Sequence, residues 1–168
     1  MGNIDKNIVL IGMPGCGKST IGKELADKLD IKFCDLDEYI VENTGKSIPE
    51  IFKCGEDHFR KIESKAAAEV SRVCPQIIAT GGGVVKNSEN IHILKKNGII
   101  IFINRPIEKI FTDVDILSRP LLISGKEKIY KLYEERYPLY KKYCDYEIIN
   151  DGNVNEAKDK IITYLKEI

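Results

Sequence analysis

No stretch of this chain approaches the roughly 18 consecutive apolar residues that a membrane-spanning helix needs. The first residues, 1–7, are polar and lead straight into a strand-like run. They lack an apolar secretion core, so a cytoplasmic location with no membrane partner is expected. There is no excess charge of either sign: Lys plus Arg and Asp plus Glu number 26 each. A nucleic-acid binder usually carries a basic face, so this balance argues against a nucleic-acid partner. No Cys-x-x-Cys pair occurs. The five cysteines, Cys16, Cys34, Cys54, Cys74 and Cys144, are scattered and read as reduced thiols, with neither a zinc site nor a disulfide framework. His58 and His92 have no metal-ligand spacing. Internal repeats and low-complexity segments are also missing, and 168 residues suit one compact domain, 1–168.

What the chain does contain is alternation. Short apolar runs at 7–12 (NIVLIG), 31–36, 76–80 (QIIAT), 98–103 (GIIIFI) and, more weakly, 146–149 read as strands. Because they are continuous rather than alternating, they suit strands buried on both faces of a parallel sheet. Helical patterns at 18–29, 56–73, 127–143 and 155–168 lie between them. Strand–helix alternation implies βαβ units and hence a three-layer α/β/α domain. Two stretches break the rhythm: 37–60 holds helical pieces without a strand, and 113–126 holds Pro, Gly and Ser without periodicity. Insertions of this kind commonly form substrate sites and lids.

The strongest motif is Gly12-Met13-Pro14-Gly15-Cys16-Gly17-Lys18-Ser19-Thr20. It fits G-x-x-x-x-G-K-[ST] between a strand and a helix. Phosphate oxygens must be met by several backbone N–H groups at once, and glycines keep side chains out of the way. The helix N-terminus that follows favours an anion. Gly15, Cys16, Gly17, Lys18, Ser19 and Thr20 are therefore expected to bind the phosphates of a nucleotide, ATP if the chain is a kinase, with Lys18 on the β- and γ-phosphates and Ser19 on Mg²⁺. The motif alone does not separate a kinase from a GTPase or a motor ATPase. A GTPase would usually carry Asn-Lys-x-Asp, and none occurs.

Asp35 and Asp37 end the second apolar run, where strand alternation puts them on one side. One could hold Mg²⁺ and the other accept a proton from an attacking hydroxyl; equally, the pair could be a solvated strand end or a helix cap. Gly81, Gly82 and Gly83 follow the third run and would let a ligand lie on bare backbone, or form a flexible turn. Arg60 has Glu63 three residues on, a spacing that allows an ion pair. Arg119 lies in the 113–126 stretch and Arg136 among tyrosines; single arginines are most often surface residues. Tyr130, Tyr133, Tyr137, Tyr140 and Tyr143 form a stripe at helical spacing, which reads as packing.

GMPGCGKST, the Asp-x-Asp of FCDLDEYI, SIPEIF followed by GEDHFRKIE, ATGGGVV, SRPLL and RYPLYKKYCD occur in this order from Gly12 to Asp145. The ordered set resembles the shikimate kinase family. That resemblance implies a P-loop kinase fold with a five-stranded parallel sheet of order 2-3-1-4-5, a helical substrate-binding subdomain (about 37–63) and a lid (about 113–126). It implies a cytoplasmic small-molecule kinase, taken as a monomer. Such an enzyme would phosphorylate the 3-hydroxyl of shikimate with ATP and Mg²⁺, in the chorismate route to aromatic amino acids. Carried over by position, Lys18, Asp37 and Arg119 would be catalytic, with Arg119 also closing on ATP. Ser19 and Asp35 would serve the metal. Asp37, Arg60, Gly81, Gly82, Gly83 and Arg136 would bind shikimate, the two arginines taking its carboxylate. Glu63 would orient Arg60, and Phe52 and Phe59 would wall the ring. The chain departs from the family at Thr112, where many members carry an adenine-stacking arginine; Asn150-Asp151-Gly152 is a loose match for the rest of that pocket. Another small-molecule P-loop kinase, acting on gluconate or a nucleotide, is the alternative enzyme, and a nucleotide-binding switch the alternative class.

Overall fold

The computed structural model describes residues 4–113 and 125–168, without the side chains of residues 112 and 113. Five parallel strands form one sheet in the order β2-β3-β1-β4-β5. They are β1 (Asn7–Ile11), β2 (Lys32–Asp35), β3 (Gln76–Ala79), β4 (Gly98–Asn104) and β5 (Tyr146–Ile149). The register places Val9 opposite both Ile78 and Ile100, so the central strand is apolar on either side. Ile8, Val9, Leu10 and Ile11 are fully buried, as are Ile77, Ile78, Ile100 and Ile101. Each such side chain stabilises the fold by about 1.5–3 kcal/mol relative to exposure. The expectation of strands buried on both faces fails at the edges: Lys32 of β2 and Ile149 of β5 are exposed. An edge strand has a neighbour on one side alone, and here the helices do not cover it fully.

The helices are α1 (Lys18–Leu29), α2 (Leu36–Thr44), α3 (Ile48–Phe52), α4 (Glu56–Val70), α5 (Ser88–Lys96), α6 (Ile107–Asp113), α7 (Lys126–Tyr143) and α8 (Val154–Glu167), with a 3₁₀ turn at Val84–Lys86. The two helices without a sequence expectation, α5 and α6, are short crossovers beside β4. The Asn87 side chain caps α5 by accepting from Glu89 N at 3.0 Å. The helix expected over 56–73 ends at Val70. There Ser71 turns its hydroxyl back onto the Ala68 carbonyl, and Gln76 Nε2 takes up the Val70 and Val73 carbonyls at 2.8 and 3.0 Å. Between β2 and β3 the chain makes α2, α3 and α4 with no strand, which is the helical insertion. Residues 114–124, most of the expected lid, lie outside the described residues. Among the described residues no helix is long and apolar enough to cross a membrane.

Candidate active site

In a parallel sheet with the phosphate loop after the first strand, ligands collect at the carboxyl ends of the strands. The loop leaves β1 at Gly12 and enters α1 through Gly17, its N-cap at φ 99°. A Cβ on Gly12 would lie 2.5 Å from the Ile103 carbonyl oxygen, and one on Gly17 would lie 2.8 Å from Asn150 Nδ2. Both glycines are thus fixed by close approach as well as by positive φ. Lys18 is 8% exposed. Its Nζ donates to the Gly12 and Met13 carbonyls, each at 2.9 Å, folding the charge over the loop. Gly15 and Cys16 lie in the turn, where Cys16 N donates to the Met13 carbonyl at 3.1 Å; Thr20 is exposed on α1.

Asn150 braces the far side of the loop. It is 2% exposed. Its Nδ2 donates to the Cys16 carbonyl at 2.8 Å, its Oδ1 accepts from Gly152 N at 3.2 Å, and its own N–H reaches Asn104 O at 2.8 Å. In the stretch 150–152, expected beside the adenine, the Asn150 side chain joins the phosphate loop to Gly152 N. Nothing in the local sequence signals this 134-residue separation.

The two acids are not a pair on one strand. β2 stops at Asp35, and Asp37 is already in the first turn of α2. The reason is the cap: Asp35 Oδ1 accepts from Asp37 N at 3.0 Å and Glu38 N at 3.4 Å. An aspartate in this position typically contributes about 1 kcal/mol to its helix. Its other oxygen, Oδ2, accepts from Ser19 Oγ at 2.6 Å. Asp35 thus caps α2 with one oxygen and holds Ser19 with the other. Two hard oxygen donors side by side at a phosphate loop suit Mg²⁺, which usually takes one or two protein oxygens and completes its shell with water and phosphate. No cluster of three or more metal-ligating side chains occurs among the described residues.

Asp37 turns instead toward the glycine triplet. A Cβ on Gly81 would lie 3.0 Å from Asp37 Oδ1 and 3.1 Å from Glu63 Oε1. One on Gly82 would lie 2.7 Å from Pro14 Cδ, and one on Gly83 2.6 Å from Arg60 Cζ. Neither Gly81 nor Gly82 has positive φ, so the triplet is set by space and not by backbone conformation. Arg60 is held from two sides, by Glu63 Oε2 at 2.6 Å and Glu56 Oε1 at 3.1 Å. Lys86 joins Glu56 at 2.9 Å. Glu63 is fully buried. Burial pushes its carboxyl above the ordinary value of 4.5 and Asp37 adds to this, while Arg60 and Arg136 pull it down. Phe52 and Phe59 stack at 4.4 Å, and the Arg60 guanidinium lies over Phe59 at 5.1 Å.

Arg136, on α7, is 5% exposed, which sets it apart from the ordinary surface arginine. Among the described residues it forms no salt bridge, and its Nε has no hydrogen-bond partner. A buried guanidinium with an unpartnered N–H favours an anion that can pair with it. Tyr140, one helical turn further on, is fully buried, and its hydroxyl donates to the Gly82 carbonyl. Of the expected tyrosine stripe, Tyr140 alone is wholly inside, whereas Tyr130 is 42% exposed. The structure thus gathers Asp37, Arg60, Glu63, Gly81, Gly82, Gly83 and Arg136 next to Lys18, Ser19 and Asp35. Arg119 lies outside the described residues. Arg105, buried near Gly152, was not singled out by sequence. A lone arginine after a strand carries no local sign of burial.

The sheet order, the phosphate loop and the serine–aspartate pair at its rim define a P-loop kinase. The family model for shikimate kinase matches residues 14–166. A shikimate kinase of Clostridium beijerinckii is 54% identical over 163 residues, covering 95% of this chain and 96% of that protein. One of Clostridium botulinum is 53% identical over 154 residues, covering 92% of this chain and 93% of its own. Among solved structures, a shikimate kinase from Acinetobacter baumannii in complex with shikimate superposes with a TM-score of 0.89 at 34% identity, over 96% of this chain and 93% of that one. The chain belongs to the shikimate kinase family.

Proposed function

We propose that this enzyme transfers the γ-phosphate of ATP to the 3-hydroxyl of shikimate, giving shikimate 3-phosphate, as a cytoplasmic monomer that requires Mg²⁺. One observation carries the reading. Arg60 and Asp37 meet the bare backbone of Gly81–Gly83 beside the phosphate loop, and Arg136, buried with its Nε unpartnered among the described residues, acts on the same Glu63. Planar guanidinium groups suit a carboxylate through paired hydrogen bonds. A ring carrying hydroxyls and one carboxylate fits a site with two arginines, one acid and stacked phenylalanines. A gluconate or nucleotide kinase and a nucleotide switch fit this set less well, and family membership supports the same choice.

Transfer of a phosphoryl group through a loose transition state needs positioning and charge neutralisation more than covalent chemistry. Lys18 exchanges its loop carbonyls for phosphate oxygens. Arg60, gripped by Glu56 and Glu63, and Arg136 hold the acceptor carboxylate. Asp37 accepts a hydrogen bond from the attacking hydroxyl and orients it. Ser19 and Asp35 would hold Mg²⁺, which would supply neutralisation of phosphate charge. The insertion 37–63 serves as the acceptor-binding subdomain. On the family resemblance, residues 113–126 serve as a lid that excludes water and delivers Arg119 to the γ-phosphate. A coupled assay of ADP release with a panel of hydroxy acids tests the proposal. Turnover that needs shikimate and ignores gluconate and nucleoside monophosphates is expected. ADP release independent of any acceptor would overturn it.

A further inference from the structure

Three consecutive glycines are the least ordered way to build a binding surface, because each has the most backbone freedom to lose. Something outside the triplet must hold it. The Tyr140 hydroxyl donates to the Gly82 carbonyl across 58 residues of sequence. The same oxygen lies 3.9 Å from Met13 Sδ in the phosphate loop. Burial pushes the hydroxyl pKa up, so it stays a neutral donor, while the charge of Arg136, four residues earlier on α7, acts on it in the opposite sense. The ring itself stacks on Phe102 of β4, with centroids 5.1 Å apart.

A peptide unit is planar and trans, so its C=O and N–H point in opposite directions. Holding the Gly82 carbonyl toward Tyr140 therefore turns the Gly83 N–H away from α7. Gly83 is the glycine against the Arg60 guanidinium. We propose that Tyr140 is a positioning residue for the acceptor subsite: its hydroxyl fixes the Gly82–Gly83 peptide plane and the Arg136 side chain together, so that both halves of the subsite keep one geometry. The inference rests on the reading that the triplet and Arg136 hold the acceptor.

Tyr140→Phe removes one oxygen and keeps the ring on Phe102, so the fold is retained, and thermal unfolding checks this. Isothermal calorimetry with shikimate and, separately, with ADP is run on the wild type and the variant. About tenfold weaker shikimate binding is expected, the size of one lost hydrogen bond in a buried site, with ADP affinity within about twofold. The change should be non-additive with Arg136→Lys, because both act on one subsite. Unchanged shikimate binding, or equal loss for both ligands, overturns the positioning role. Wild-type protein that fails to bind shikimate contradicts the function itself, a separate outcome.

Discussion

A methyl group on Gly83 would lie 2.6 Å from Cζ of Arg60, closer than non-bonded carbons approach. The clash is with the end of a long side chain, so the fold can yield, but the Arg60–Glu63 ion pair cannot stay as it is. Gly83→Ala should therefore leave the melting temperature within a few degrees and raise the KM for shikimate about tenfold or more. Gly82→Ala presses on the Pro14 ring of the phosphate loop and should raise the KM for ATP as well. Steady-state kinetics with each substrate varied in turn separates the two.

Asn150 tests the nucleotide side. Asn150→Asp keeps the shape and replaces the donor facing the Cys16 carbonyl with an acceptor. A buried polar mismatch of this kind costs about 1–3 kcal/mol. ADP affinity should fall about tenfold or more, with shikimate binding to the nucleotide-free enzyme almost unchanged. Unaltered ADP affinity would show that the loop does not need this brace.

Asp35 serves both the α2 cap and Ser19. Asp35→Asn keeps an oxygen for the cap and loses the charge. Activity should drop and recover in part as Mg²⁺ is raised, and the melting temperature should shift little. A response independent of Mg²⁺ concentration would assign the metal elsewhere.

Glu63 gives the site a pH dependence. Burial raises its carboxyl above the ordinary 4.5, so it gains a proton at a higher pH than an exposed glutamate does. Arg60, Asp37 and Arg136 are the charged groups that act on it. As pH falls toward that raised value, the charge that grips Arg60 is lost and the KM for shikimate should rise. Glu63→Gln should show a high KM throughout and flatten this limb. For stability the sign is opposite. The folded state binds this proton more tightly, so the contribution is complete below the unfolded value and is lost as pH rises through the folded one.

The sheet and the phosphate loop were legible because their signals are local. Short apolar runs marked all five strands, the last more weakly, and G-x-x-x-x-G-K-S placed Lys18 and Ser19 where the loop after β1 enters α1. The order of the strands came from resemblance. The edge exposure of β2 depends on which strand has one neighbour, and no run of residues carries that. The acids were legible as functional candidates but misplaced as strand partners, because a capping aspartate ends one element and starts the next in a single residue. Tyr140 and Asn150 were illegible as braces. A tyrosine at helical spacing looks the same whether it packs or holds a distant carbonyl, and Asn150 meets a partner 134 positions away.

The central claim is the transfer itself, and the product of one reaction tests it most directly. Enzyme, ATP, Mg²⁺ and shikimate are incubated, and the mixture is followed by proton–phosphorus correlated NMR. The account predicts one new phosphate monoester coupled to the proton on carbon 3 of the shikimate ring, formed in equal amount to ADP. ADP accompanied by inorganic phosphate alone, or an ester on another hydroxyl, would contradict it.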